Sequence, residues 1–328
     1  MLRAYLYDSA GRDREIDLHS ALPKLSSQHL LWIDITGRDA NDIERITQLI
    51  KLDSHCRNDL RHRSNAFQLK TYGRYLHFNI ASLKVEAEDK SNIRAKPQSV
   101  RLDFIVGKLW LITIHDEPLA FLKEFREQDR GDTLIGRLSP SALASSLLDW
   151  HLGPYLQASE NLEDFCDKLD QRILKGPTND FAALPEIVRA RTYVSELRAL
   201  LLPQRSVFYG LSRADVALIT GTTTANQFGS LEHHFERAVD IIERGRDLVR
   251  GSFDLYSTKI AETTNVLIRR LTFISIMLGA IGAVAGVFGM NFDTPYTHTG
   301  VFGFWAVVGT LAFLGAILGV VSRWKHWI

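Results

Sequence analysis

Charge is the first thing missing. Between Leu271 and Ser322 the chain carries a single charged residue, Asp293. Folded surfaces in water are rich in lysine, arginine and carboxylates, so a soluble fold is excluded for this segment. Proline is absent from Gln204 to Thr294, which removes the strongest interruption to a long helix. Cysteine is scarce. Cys56 and Cys166 stand far apart with no CxxC spacing, so the thiols read as unpaired in a reducing compartment. The N-terminal "MLRAYLYDSAGRDREID" lacks an apolar core of signal-peptide length, and the large N-terminal part is therefore expected to stay in the cytoplasm. No HExxH, nucleophile elbow, catalytic-triad spacing or phosphate loop occurs, so the chain does not read as an enzyme and no cofactor is expected. The net charge of +1 over 328 residues gives no reason to expect nucleic acid.

What is present divides in two. The first part reads as α+β. "AYLYD", "LLWIDIT", "FQLKTYGRYLHFNIASL" and "SVRLDFIVGKLWLITIHDE" are apolar or alternating runs rich in β-branched and aromatic residues. The last two break at Tyr72-Gly73 and Gly107-Lys108, as hairpins do. Strand signals stop beyond Pro118, and from Ser139 the period is helical, with Leu143, Leu147 and Leu148, then Leu162, Phe165 and Leu169, on one face. A second helix is expected from about Leu184 to Phe208. Ser230 to Met290 reads as one helix of about 60 residues, or roughly 90 Å. A bilayer core takes up only about 30 Å of it. The rest should project as a stalk.

Two uncharged runs can span a membrane, "LTFISIMLGAIGAVAGVF" (Leu271 to Phe288) and "VFGFWAVVGTLAFLGAILGVVS" (Val301 to Ser322). Arg269 and Arg270 precede the first, Arg323, Lys325 and His326 follow the second, and the loop between has no Lys or Arg. The positive-inside rule then puts both ends in the cytoplasm and the loop outside. The expected organisation is an α/β domain over residues 1–135 and a helical region over 136–229. A stalk and pore-lining helix follows over 230–291, with 271–288 in the membrane. The outer loop is 292–300, the second transmembrane helix 301–322 and the basic tail 323–328.

Two spans cannot enclose a pathway, so transport requires an oligomer whose pore-lining face differs from its lipid-facing one. Stepping back from Gly289 by threes and fours gives Gly286, Gly282, Gly279, Ser275, Thr272, Ile268, Asn265, Ala261, Thr258 and Asp254, and sevens continue to Asp247 and Asp240. Within the membrane this face is small or hydroxylated, while Phe273, Ile274, Met277, Leu278, Ile281 and Val284 lie elsewhere. Close helix packing is the competing explanation, since Gly282-xxx-Gly286 and Gly315-xxx-Gly319 both fit a GxxxG contact. Packing has no need of carboxylates at the same angle. Ile268 is the one bulky aliphatic on the stripe, with Leu271 a turn further on. Such a ring can close a pore by dewetting, or form an ordinary helix seam. A ring of Asp254 would concentrate cations near the inner mouth.

The stripe ends at Gly289-Met290-Asn291, and here the chain resembles the CorA family of divalent-cation channels, including its ZntB zinc-transporting branch. That tripeptide closes the first of two C-terminal spans in the family. "LLDWHLGPYLQASENLEDFCDKLDQRIL", "LLPQRSVFYGL", "SFDLYS" and "RWKHWI" extend the likeness over most of the chain. The resemblance implies a homopentameric funnel with a cytoplasmic α/β domain, long stalk helices and a two-span hairpin. It puts Asn291 in an outer selectivity ring and Gly282, Gly279, Leu271, Ile268, Asn265 and Asp254 at pore positions. Family magnesium channels usually continue with a Met-Pro-Glu segment, whereas this loop is "FDTPYTHTG". The acidic residues of the family's regulatory metal site have no evident counterparts here.

Magnesium gives up its water reluctantly, and a ring of neutral amides at Asn291 would hold the hydration shell without replacing it. The expectation is inward Mg2+ transport across the cell inner membrane, with Co2+ or Ni2+ as further substrates. A ZntB-like Zn2+ carrier, with or without proton coupling, and a membrane-anchored signalling or scaffold protein are the alternatives.

Overall fold

The computed structural model describes residues 1–10, 13–18, 22–62, 66–84, 93, 96–128, 134–176, 182–216, 222–289 and 300–324. Contacts divide the chain into two compact units, one made of Met1–Leu169 with Ala182–Ser252 and the other of Asp170–Phe181 with Phe253–Ile328.

The first unit is built on a seven-stranded sheet. Its strands are β1 (Leu2–Asp8), β2 (Arg14–Ile16), β3 (His29–Thr36), β4 (Leu69–Thr71), β5 (Leu76–Leu83), β6 (Ser99–Val106) and β7 (Trp110–His115), in the order β2-β1-β3-β7-β6-β5-β4. Only β3 and β7 pair in parallel. The two hairpins turn where the sequence places them. Gly73 sits at φ +67 between β4 and β5, and a side chain at Gly107 would collide with the Trp110 ring.

Two short helices unforeseen from the sequence, α1 (Ala40–Ile50) and α2 (Ser54–Arg61), cover one sheet face. Asp39 caps α1 by accepting from the backbone N–H groups of Asn41 and Asp42. Ile43, Ile46, Cys56 and Leu60 then join Ile33, Ile35, Ile105, Ile112 and Ile114 in one buried cluster. Burial pushes the Cys56 thiol up to about 12, so it packs as an inert apolar group.

On the other face stand α3 (Ala120–Gln128) and α4 (Pro140–Lys175). Trp32 meets Phe125 edge-on, and the Tyr155 hydroxyl donates to the Ala81 carbonyl at 2.8 Å. His151, fully buried beside it, is pushed down to about 3 by burial and is therefore a neutral imidazole.

Each sheet face also holds a buried carboxylate. Asp34 accepts from Thr113 Oγ1 (2.6 Å), His115 Nε2 (3.0 Å) and Arg126 Nη1 (2.8 Å). Asp103 accepts from His77 Nε2 (3.0 Å), from Arg101 through Nε (2.9 Å) and Nη2 (3.0 Å), and from Arg38. Arg38 adopts a left-handed φ of 47, uncommon for a bulky residue. From there its guanidinium also reaches Asp116 at 3.0 Å and the Leu60 carbonyl at 3.3 Å. Burial opposes the charge on Asp103, yet the hydrogen bonds of His77 and Arg101 and the charge of Arg38 outweigh it and hold the carboxyl below its ordinary range.

Beyond these lie α5 (Ala183–Leu201), α6 (Arg205–Leu211), α7 (Thr222–Phe288) and α8 (Gly300–Trp324). The helix expected to run from Leu184 to Phe208 is interrupted, because Pro203 lacks an amide donor and the chain tightens into a 3-10 turn at Leu202–Gln204. The long helix starts at Thr222 rather than Ser230. Three threonines favour a helix poorly, but Phe228 is fully buried, and tertiary packing overrides the propensity.

Candidate functional site

The stripe lies on α7, whose character changes along its length. In the first unit it buries Phe228, Leu231, Phe235, Ala238, Val239, Ile242 and Val249, at spacings of three, four and seven. Phe235 stacks on Phe208 with ring centroids 4.2 Å apart. Asp240 and Asp247 are exposed, on the side away from that seam. His234 is exposed, and its Nδ1 donates to Asp149 Oδ1 at 2.8 Å.

From Phe253 to Val287 no residue is buried, and the same holds for the described side chains of α8. Leu271 is 66% exposed and Phe302 85%. Both helices are long and apolar enough to cross a membrane, with mean hydropathies of 1.8 and 2.0 in their apolar windows. Aromatic rings mark both ends of α8, with Phe302, Phe304 and Trp305 at one and Trp324 at the other, as interfacial belts do.

From Leu271 to Val287 the half-buried residues of α7 are Phe273, Met277 and Val284. At 3.6 residues per turn, the stripe faces about 140° away from them. Asp254, Thr258, Ala261, Asn265, Ile268, Thr272, Ser275, Gly279, Gly282, Gly286 and Gly289 are all exposed, as is Leu271. A side-chain carbon placed at Gly279, Gly282, Gly286, Gly315 or Gly319 would meet nothing within 4 Å. Neither GxxxG pair therefore packs against a helix of its own chain. Among the described residues Asp254 has no ion pair, and its backbone carbonyl accepts from Thr258 Oγ1 at 2.9 Å. The Gly289 amide closes the last helical bond, to Ala285 O at 2.9 Å. Met290 and Asn291 lie outside the described residues, as do Asp293 and His298. Among the described residues no group of three or more His, Cys, Asp or Glu side chains is placed to hold a metal. The stripe offers hydroxyl, amide and carboxylate oxygens together with bare backbone, a surface suited to a hydrated ion.

Missing from the sequence-based expectations are the two carboxylate knots that fix the first unit. Their partners are as far apart in the chain as Asp34 and Arg126, so no local spacing signals them.

An α+β unit continued by helices whose apolar flanks no other described residue covers has the organisation of a membrane protein. The chain belongs to the CorA family, whose model, described as CorA-like Mg2+ transporter protein, matches residues 27–323. It is a CorA-like transporter of divalent cations. It is similar to the cobalt/magnesium transport protein CorA of Thermotoga maritima, 24% identical over 95% of this chain and 87% of that one. In fold it resembles the complete CorA magnesium transporter of Methanocaldococcus jannaschii, with a TM-score of 0.74, 18% identity, and 99% of this chain and 98% of that chain covered. It also resembles the cytoplasmic domain of ZntB from Vibrio parahaemolyticus, with a TM-score of 0.59, 12% identity, and 80% and 99% covered.

Proposed function

We propose that this protein is a homopentameric channel that carries Mg2+ inward across the cell inner membrane, with Co2+ and Ni2+ as further substrates. The observation that carries this reading is the uncovered face of α7. Asp254, Thr258, Asn265, Thr272 and Ser275 continue into the bare glycines 279, 282 and 286, all exposed and turned away from the half-buried flank. Only copies of the chain arranged around an axis give such a face a function. The pentamer comes from the family likeness.

In this assembly both termini lie in the cytoplasm and the loop after α7 faces out, since arginines flank the inner ends only. Asn291, with Gly289 and Met290, forms the outer ring. Its amide oxygens accept hydrogen bonds from the ion's bound water, so the shell stays in place and release stays fast. Ile268 and Leu271 form the constriction that closes by dewetting. Asp254, with Asp247 and Asp240 below it, raises the local cation concentration at the inner mouth. The membrane potential suffices as the driving force, because a divalent ion gains about 4.6 kcal/mol per 100 mV.

The choice of magnesium rests on donor chemistry. Zinc favours nitrogen and sulfur ligands, and the stripe has no His or Cys. Zinc is nevertheless the second reading, favoured by the likeness to the ZntB cytoplasmic domain and by a loop without Met-Pro-Glu that holds His298. Flux into liposomes decides between them. Mg2+ uptake that persists without a pH gradient, and that hexaamminecobalt blocks, is the expected result. Zinc flux that collapses with the pH gradient, with negligible Mg2+ flux, assigns the chain to the zinc branch. No flux of any divalent ion leaves a membrane-anchored scaffold.

A further inference from the structure

In the first unit Arg38, Arg101, Arg126, Arg198 and Arg205 each hold a carboxylate. At the inner ends of the two spans, Arg269, Arg270 and Arg323 are exposed, and none has an ion pair or hydrogen bond among the described residues. Among the described residues of α7 and α8 no counter-charge is left for them. The preceding carboxylate on α7, Glu262, faces Lys259 at 3.7 Å, and α8 has no Asp or Glu.

Their depth is set by the helices. Arg270 lies 18 residues before Phe288 and Arg323 lies 23 residues after Gly300, about 27 and 35 Å along the two axes. A hydrocarbon core is about 30 Å thick. Both guanidinium groups thus emerge at the headgroup level of one leaflet. Beside Arg323 stands Trp324, 83% exposed, with an indole suited to the same depth. A guanidinium presents a planar fork that matches two oxygens of a phosphate.

We propose that Arg269, Arg270 and Arg323, with Trp324 as the anchoring ring, bind the phosphate headgroups of acidic phospholipids in the inner leaflet. The inference rests on the spanning topology given above and is independent of which ion is carried. Acidic lipid supplies the charge that the chain omits. Neutral lipid leaves three guanidinium groups per protomer at the headgroup level without that charge.

The test uses the full chain with Trp305→Phe and Trp327→Phe, so that Trp324 is the one tryptophan left in the membrane-level segments. It is reconstituted into phosphatidylcholine vesicles containing one quarter phosphatidylglycerol, with acyl-chain bromine placed on either lipid. Brominated phosphatidylglycerol should quench Trp324 well beyond an equal mole fraction of brominated phosphatidylcholine. Arg269→Gln, Arg270→Gln and Arg323→Gln should each weaken that preference about fivefold. Inorganic phosphate at millimolar concentration should leave it unchanged. Equal quenching by the two lipids overturns the proposal, and loss of the preference in free phosphate reassigns the site to a soluble anion. Quenching by neither lipid removes the spanning topology itself, which flux assays of ion choice do not touch.

Discussion

Asp103 and Asp254 carry the same carboxylate under opposite conditions. Asp103 is fully buried and receives hydrogen bonds from Arg38, His77 and Arg101. Asp254 is exposed, with no ion pair among the described residues. The contrast extends to the regions around them. The first unit completes every interaction of its central charges within the chain and packs Ile, Leu and Phe on both sheet faces. From Phe253 onward no described residue of the second unit is buried, and Leu271, Ile276 and Phe302 are bare. One region carries its environment inside it. The other leaves its apolar flanks open, and in the proposed assembly lipid and further copies of the chain cover them.

The largest break in that comparison comes from Asn291→Ala, which should abolish divalent flux in liposomes while the oligomer still assembles and the first unit melts unchanged. Wild-type flux in an assembled variant removes Asn291 from the selectivity ring.

Asp103→Asn attacks the other side. It takes the shared carboxylate from Arg101 and from Arg38, which keeps Asp116, and the expected cost is about 3 kcal/mol of first-unit stability, read by urea unfolding with circular dichroism. Acid should act at the same place. The folded-state pKa of Asp103 lies below the ordinary value of about 3.9, so its stabilisation is complete above that pH and is lost as pH falls through the folded value. The sheet signal should therefore persist down to about pH 4 and fade below it. Loss of the sheet near neutrality would contradict this.

Ile268→Gly should wet the constriction and raise basal conductance several-fold in planar bilayers, with no change in the first unit. Unchanged conductance makes Ile268 a seam residue. The smallest effect is expected of Gly282→Ala. The added carbon meets nothing in its own chain, and alanine favours a helix by about 1 kcal/mol over glycine. Helix content should hold while flux declines modestly, because the methyl narrows the shared path. Unaltered flux would place Gly282 away from the pathway.

Much of this was legible in the sequence, and the reasons are physical. Alternation and turn glycines mark the β4–β5 and β6–β7 hairpins because a strand writes its two faces into adjacent residues. The stripe is legible because a helix writes its faces at threes and fours. The helices α1 and α2 were missed, although Asp39 before Ile43 and Ile46 is a cap followed by an apolar face. In α2, "SHCRNDLR" has only Cys56 and Leu60 to bury and reads as polar. The knots at Asp34 and Asp103 were beyond reach, since their partners converge only after the sheet forms. For Met290 and Asn291, the family motif remains the argument.

The row Asp240, Asp247, Asp254, Ala261, Ile268, Ser275, Gly282 and Gly289 repeats every seven residues along one continuous helix. Seven residues fall about 20° short of two full turns. On a straight helix the row would wind through about 140° between its ends, and Asp240 and Gly289 could not face the same axis. Helices wound left-handed around one another cancel that drift. In the proposed oligomer such a winding would act as a screw. Loosening it by about 5° per repeat would turn Gly289 by about 35° relative to Asp240, exchanging bare backbone for the flanking aliphatic side chains at the mouth without bending any helix.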